Sequence, residues 1–530
     1  MKLAFDFGTT NSVVARWDEA RAGAEILSLP DLSLPPETAL PPIIPSLFYL
    51  QDGQTGQAIS GHAVRAAGLD RLADNRLFRN FKRGLVTQTK IAPRQIDGQE
   101  WTVRAVGDRF LQTVLQALPH QPAEIEQLVL TAPVESFEMY VAWLNEVMAG
   151  YDFGSEQVRV VDESTAAALG YAVTEPDALV LVFDFGGGTL DISLVQLPEN
   201  RAKTGGFLKR LRRRMLNQHT ARVIAKAGQI TGGSDIDHWL QNYILSQLDH
   251  NLENPSAALL TACEQAKINL SAAEQTEIAF SLAGQDHSLP LTRVELETLL
   301  EENGFFTVIR RTIDKVMFQA RRQGIFREDI DYVLLVGGTT LMPAVQQVLK
   351  TYFSEIAVRA DKPFTAVAEG ALQVAAGFGL EDYLVHSYGL RHLDPESQQQ
   401  RYEEIIPMGT RYPTEQPIEI LLGAAHPDQE AIEFVIGEIN TEAAGLIEVQ
   451  YENGEAVFVA QGDDTAQQVV PLNEEAVSQA LAQLLPPGQP GQDRIKAQFS
   501  IDDERRLRLT LLDLQTETTL LQDVVLTALK

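Results

Sequence analysis

Only one cysteine, Cys263, occurs in this 530-residue chain, so no internal disulfide can form. That suits a reducing compartment. No apolar stretch approaches the roughly 20 residues that a helix needs to cross a bilayer. The opening MKLAFDFGTTNSVVA has one lysine but neither a sustained apolar core nor a small-residue cleavage site, so it reads as a strand and not as a secretory signal. A soluble cytoplasmic protein is the expectation. Positive charge is also scarce: 43 Lys and Arg stand against 72 Asp and Glu, a formal net charge of −29. Such a surface repels phosphate backbones, which argues against general nucleic-acid binding.

The deficit is uneven. Residues 381–530 hold 27 Asp and Glu against 9 Lys and Arg, so this stretch carries −18 of the −29. Solubility explains that, and so does attraction for basic peptides; both readings stand. The segment ENRAKTGGFLKRLRRRML (199–216) runs the other way. It reads as a solvated insertion or as a contact for an anionic surface.

A chain of this length exceeds one hydrophobic core, and two or three domains are expected. Up to about residue 380, apolar runs such as KLAFDFG, EQLVLTAPV, ALVLVFDFGGGTLDISLVQL and DYVLLVGG alternate with helical patterns such as DIDHWLQNYILSQL and MPAVQQVLKTYF. This is an α/β texture with buried sheets. One theme occurs twice, FDFGTTNSVVAR from Phe5 and FDFGGGTLDISLV from Phe183. An apolar strand, an acid, a glycine turn and a second apolar strand form an internal repeat, which suggests two related lobes. After about residue 385, short alternating runs such as AIEFVIGEI, RIKAQFSID and RRLRLTLLDL predict an antiparallel β-sandwich.

The glycine turns carry the chemistry. In Asp6-Phe7-Gly8-Thr9-Thr10-Asn11, glycine permits a tight turn whose N–H groups and threonine hydroxyls can face a phosphate, and Asp6 can hold a hydrated magnesium ion. A plain hairpin turn is the alternative for this loop alone. A second loop, Asp184-Phe185-Gly186-Gly187-Gly188-Thr189-Leu190-Asp191, points to a pair that clamps one triphosphate and its metal from both sides. Gly232-Gly233 and Gly337-Gly338-Thr339 follow strands and suit a nucleoside lying against backbone, or are ordinary turns. Between them, Glu264, Lys267 and Ser271 fall on one helix face, able to hydrogen-bond ribose and adenine or to form a solvated ion pair.

At this point the residues resemble a family. FDFGTTNS, FDFGGGTLDIS, DESTAAALGYA, CEQAKINLS and VLLVGGTTLMP look like the nucleotide-binding domain of heat-shock protein 70 chaperones over roughly residues 1–380. The resemblance implies an α/β actin-like (duplicated ribonuclease H-like) ATPase domain over 1–380, a linker over 381–387 and an all-β sandwich domain over 388–530 that binds substrate. IIPMGTRYPTEQPIEI, EAIEFVIGE and DRIKAQFSID carry the likeness in the sandwich, where Ile432, Phe434 and Ile436 line a peptide groove or pack a core. A helical lid is not expected. The implied cofactors are ATP or ADP, Mg2+ and K+. The implied partners are unfolded or extended polypeptides, a J-domain co-chaperone (engaging Arg159) and a nucleotide exchange factor.

The resemblance also assigns roles. Lys82, in FKRGL, orients the attacking water, Glu163 is the cleft glutamate, and Thr189 lies beside the γ-phosphate. Asp6, Asp184 and Asp191 surround the hydrated magnesium. Taken from composition alone, Lys82 reads as an ordinary surface residue. The chain departs from the family in three places: Glu163-Ser164 replaces Glu-Pro, Leu341 stands where an arginine stacks on adenine, and no arginine follows Pro133 until Arg159. The last departure bears on interdomain signalling. Two rival classes remain. A sugar kinase shares the cleft but needs a base for a substrate hydroxyl, which nothing singles out. A scaffold would bind ATP without peptide-coupled turnover.

Overall fold

Two apolar runs with an acid at or next to their end, Lys2–Asp6 and Leu179–Phe185, lie inside two sheets. In this computed structural model the described residues are 1–530 apart from 22, 37, 39, 73, 86–90, 119–123, 135, 152, 154–156, 173–174, 199–219, 249–256, 283–284, 354–355, 385, 394–399, 441–446, 453–454, 461–467, 474–480, 503–504 and 530. The basic segment 199–216, Glu135 and Val385 therefore lie outside the described residues.

Lys2–Asp6 pairs antiparallel with Asn11–Asp18 and parallel with Gln127–Ala132, and the sheet runs Val158–Asp162, Gln127–Ala132, Lys2–Asp6, Asn11–Asp18, Gly23–Ile26. Leu179–Phe185 pairs antiparallel with Leu190–Gln196 and parallel with Tyr332–Val336. From one edge its first five strands run Ala357–Arg359, Tyr332–Val336, Leu179–Phe185, Leu190–Gln196, Thr220–Gln229. Order and direction are the same in both sheets, so the two glycine turns occupy equivalent places: each closes the first hairpin. Leu179–Phe185 is buried at every position, which is why it reads as continuously apolar.

Two helices lie between these sheets. Glu163–Leu169 and Ala366–Ala375 cross so closely that a Cβ on Gly370 would stand 1.6 Å from the Ala166 carbonyl oxygen. Their buried alanines share a core with Val13 and Ala15 of one sheet and Val180 and Val182 of the other. Small side chains are what permit that approach. All these elements belong to one unit, Met1–Leu380.

The second unit, Glu381–Lys530, is β-rich. One sheet runs Gln400–Ile406, Ser387–Leu393, Ile436–Asn440, Gln468–Pro471, and another runs Ile418–Gly423, Asp493–Ile501, Arg506–Asp513, Thr518–Ala528. Strict alternation in Arg506–Asp513 sends Leu507, Leu509 and Leu511 into a core that also takes Tyr388, Leu390 and Ile436 of the other sheet. Residues 381–383 belong to a strand, Gly379–Tyr383, that pairs with Arg411–Tyr412. The alternation of Ile432, Phe434 and Ile436 is not one strand. Gln429–Glu433 pairs with Leu481–Gly488, whereas Ile436–Asn440 belongs to the first sheet of this unit. Phe434 and Ile436 are fully buried in the core, so they line no groove. The side chain of Asn473 bridges the break, accepting from the Ile436 N–H and donating to the Phe434 carbonyl, both at 2.9 Å.

Candidate functional site

Both hairpin turns open onto one cavity of about 500 Å³ in the first unit. They touch each other there. A Cβ on Gly187 would meet Thr10 Oγ1 at 1.8 Å, and one on Gly188 would meet Thr9 Oγ1 at 2.3 Å. Gly8 is held just as tightly, with the Asn11 carbonyl oxygen 1.9 Å from its missing Cβ. Any larger residue would run into the Asn11 backbone at Gly8 and into the threonine side chains at Gly187 and Gly188. The cavity wall includes Gly8, Thr9, Thr10 and Asn11 from one turn and Gly186, Gly187, Gly188 and Thr189 from the other. Backbone N–H groups and hydroxyls so arranged suit an anion. Two larger surface hollows, around Arg310 and Glu297, contain none of these residues.

The later glycines complete the wall through the second turn. Gly233 N–H donates to the Gly186 carbonyl at 3.0 Å, and Thr339 Oγ1 donates to the same oxygen at 2.8 Å. Gly337, at a φ of 82°, packs so that a Cβ would lie 2.4 Å from the Phe185 carbonyl oxygen. Gly233, Gly337, Gly338 and Thr339 line the cavity, but Gly232 lies behind them, capping the helix Gly233–Gln247 through its N–H to Asp235 at 2.8 Å.

The charged groups cluster at the cavity floor. Asp6 and Asp184 end the two central hairpin strands, and Glu163 opens the helix Glu163–Leu169, whose N-cap is Asp162. Lys82 is not the surface residue its composition suggests: it is buried, 2.5 Å from Glu163, with its ammonium over the rings of Phe7 and Tyr140. Tyr140 fixes its backbone by donating to the Lys82 carbonyl at 2.6 Å. Burial, then the Glu163 charge, pushes Asp6 up to about 7, while Lys82 and the Thr131 hydroxyl (2.8 Å) oppose the rise. Burial, then Glu163, Asp191 and Asp6, pushes Asp184 well above the carboxylate range. Acids crowded in this way favour a cation among them. No three His, Cys, Asp or Glu side chains converge closely enough to ligate an ion directly among the described residues. The Asp6 and Asp184 carboxylates on one cavity wall fit an ion that uses few protein ligands, as magnesium does. Asp191 lies outside the cavity wall; its Oδ1 accepts from the Val134 N–H at 3.1 Å and so ties the second hairpin to the loop after Gln127–Ala132.

The expected face of Glu264, Lys267 and Ser271 lies on the helix Ala257–Ala272 and borders the cavity. Its polar groups are engaged. Glu264 pairs with Arg65 at 3.0 Å and with Arg79 at 4.0 Å, and although burial opposes it, the charges of Arg65, Lys267 and Arg79 hold its carboxyl below the ordinary value. Lys267 donates to the Gly233 carbonyl at 2.8 Å and pairs with Asp237 at 2.7 Å, and Ser271 Oγ donates to the Lys267 carbonyl at 3.2 Å. Sequence reasoning missed Arg65, Arg79, Asp237 and Thr131. None stands in a glycine turn, and nothing in their local pattern signals a partner so far along the chain.

Compared with known proteins, residues 88–385 match the family model described as Hsp70 protein. Chaperone protein DnaK of Thermotoga petrophila and that of Thermotoga maritima are each 28% identical to this chain over 444 residues, covering 78% of it and 66% of theirs. DnaK of Thermotoga neapolitana is similar to the same extent. The chain thus spans 66% of the length of the curated relatives it matches. With the family model covering more than half of its residues, the chain belongs to the Hsp70 family.

Proposed function

We propose that this protein is an ATP-dependent chaperone: residues 1–380 form an actin-like ATPase domain of duplicated ribonuclease H-like sheets, 381–387 a linker, and 388–530 a sandwich that binds extended unfolded polypeptide. One observation carries the reading. The two glycine turns abut across a single cavity, with Thr10 Oγ1 only 1.8 Å from where a Gly187 Cβ would stand. The matching strand orders of the two sheets support the duplicated fold.

In this reading the turns cradle the polyphosphate by their N–H groups, and Thr189 meets the γ-phosphate. Asp6 and Asp184 would hold Mg2+, which would supply neutralisation of the polyphosphate charge. Lys82 orients the attacking water, and Glu163, 2.5 Å away, holds the ammonium in place. Asp191 acts from behind the wall by fixing the Val134 loop. Positioning and preorganised charge provide the catalysis, with no covalent chemistry by the protein. Hydrolysis in the first domain then gates polypeptide binding by the second, served by J-domain and exchange-factor partners.

Calorimetry with Mg·ATP tests the site, and phosphate release with and without an unfolded protein tests the function. Heat of binding and a rise in turnover of at least about twofold are expected. Absence of binding heat removes the reading. Phosphate transfer to an added sugar would replace it with a kinase, and turnover indifferent to polypeptide with a scaffold.

A further inference from the structure

The chain carries a net charge of −29, yet the helix Phe305–Arg322 bears Arg310, Arg311, Lys315, Arg321 and Arg322 against a single acid, Asp314. Cations in a last turn complement the helix dipole, which accounts for Arg321 and Arg322 but not for Arg310. Asp314 is occupied, accepting from the Tyr352 hydroxyl. Among the described residues neither Arg310 nor Arg321 forms an ion pair.

This helix and the helix Pro343–Tyr352 border a groove. Its two hollows, of about 650 and 1060 Å³, share Arg310, Gln347 and Val348 and so run into one another. The ends differ in charge. Glu274, Glu297 and Glu301 border the larger hollow, where the Arg293 guanidinium is engaged by the Leu270 and Ala273 carbonyls. The smaller hollow is lined by Arg310, Arg321 and Arg327 against Glu328 alone. Arg327 meets Glu328 at 3.7 Å, an exposed pair that contributes little, and donates to the Tyr352 carbonyl at 3.0 Å. From Arg310 to Arg321 the helix rises by roughly 16 Å.

Apolar surface lies among these cations. Met317 is buried in the wall of the smaller hollow, and Phe326, also of that wall, is 52% exposed. Phe318, 62% exposed, precedes Arg321 by three residues and so neighbours it on the helix surface. Arginine interleaved with aromatic side chains is the composition of interface centres. A small anion would leave both phenylalanines in water, and a nucleic acid would meet repulsion from the rest of so acidic a surface.

We propose that the hollow between Arg310 and Phe326 docks a segment of another protein that is acidic and carries large apolar side chains. Its carboxylates meet Arg310 and Arg321, and an apolar side chain covers Phe326. The hollow shares no residue with the nucleotide cavity, so the proposal stands independently of the nucleotide reading.

Fluorescence anisotropy of a labelled peptide of about twelve residues, repeating Glu-Glu-Phe-Leu, titrated with the full chain, provides the test. Saturable binding is expected, weakened at least about tenfold in the double variant Arg310→Glu, Arg321→Glu. Both side chains are exposed, so the melting midpoint should hold. Phe326→Ser should weaken binding by about fivefold. Absence of binding overturns the proposal. Binding that the double variant leaves unchanged places the peptide elsewhere on the chain and overturns it as well. Loss in the charge variant with Phe326→Ser silent reveals a patch that reads charge alone, and that result also overturns it.

Discussion

In the unit Met1–Leu380, Asp6, Glu163 and Asp184 crowd around the Lys82 ammonium; in Glu381–Lys530, Asp513 is matched by Arg494 at 2.9 Å and Asp382 by Arg505 at 3.1 Å. All but the half-buried Asp6 are buried, yet the outcome is opposite. Burial and like charge push Asp6 and Asp184 up. Burial also presses on Asp513, but Arg494 and the N–H groups of Gln515 and Thr516 hold it below the ordinary value. The Tyr412 hydroxyl adds a further donor to Asp382. An excess of acid over base in a cavity is organised for a cationic or metal-bound ligand. Acid and base in equal number are organised for the fold alone. The contrast separates a site from a scaffold without reference to any relative.

The strongest way to break that contrast is to remove the cleft cation. Lys82→Met should lower ATP turnover at saturating nucleotide by about 100- to 1,000-fold, the usual loss when one preorganised charge-stabilising donor disappears. If turnover survives within tenfold, Lys82 is structural, like Arg494, and the distinction between the two sets of acids fails.

Removing a matched cation tests the other side. Arg494→Met leaves Asp513 buried without its main partner and should cost about 3 kcal/mol of the second unit's stability. Hydrogen exchange of peptides within 481–528 reports it, because Trp17, Trp101, Trp143 and Trp239 all lie in the first unit and fluorescence would miss the change. The pH dependence should weaken as well. With Arg494 present, the folded Asp513 titrates below its unfolded value, so its stabilisation is complete above about pH 4 and is lost as pH falls further. Without Arg494, only the Gln515 and Thr516 N–H groups still oppose burial, so the loss on acidification should shrink. The second substitution Asp513→Leu should restore most of the loss, since an apolar pair of similar volume carries no desolvation cost.

Ligand addition should act on the first unit in turn. Mg·ADP at about a hundred times its dissociation constant should stabilise Met1–Leu380 by about 2.7 kcal/mol, read from tryptophan fluorescence during denaturation. An unchanged midpoint would mean that the crowded acids hold no ligand.

What the sequence could and could not reveal follows the same line. The glycine turns were legible because loops packed this closely admit no Cβ: at Gly8 it would strike the Asn11 carbonyl, and at Gly187 and Gly188 the Thr10 and Thr9 side chains. The repeat from Phe5 and Phe183 was legible because both strands are buried at successive residues and so stay apolar up to Asp6 and Asp184. Lys82 was not, since a lysine's burial depends on Glu163, Phe7 and Tyr140 arriving from elsewhere in the chain. Arg65 and Arg79 were invisible for the same reason: their partner, Glu264, lies nearly 200 residues away. Alternation misled at Ile432–Ile436, because a period of two persists across a point where the chain leaves one strand pairing for another.

That last point yields the smallest effect. In the cleft, polar groups line a space that a ligand can fill; at the break near Phe434 they are saturated by the protein itself. Asn473 serves the Ile436 N–H and the Phe434 carbonyl, both on buried residues where the strand changes sheets. Asn473→Ala would strand two backbone groups away from water, at a cost of about 1–3 kcal/mol. Asn473→Asp keeps the acceptor but loses the donor to the carbonyl, and places a charge where the amide was neutral. It should therefore be at least as harmful at neutral pH and recover as the carboxyl is protonated. Exchange protection of the Ile436 amide measures both. If Ala and Asp leave that amide as protected as it was, the crossing is held by the packing of Phe434 against Phe499, 6.5 Å between ring centres, and not by the asparagine.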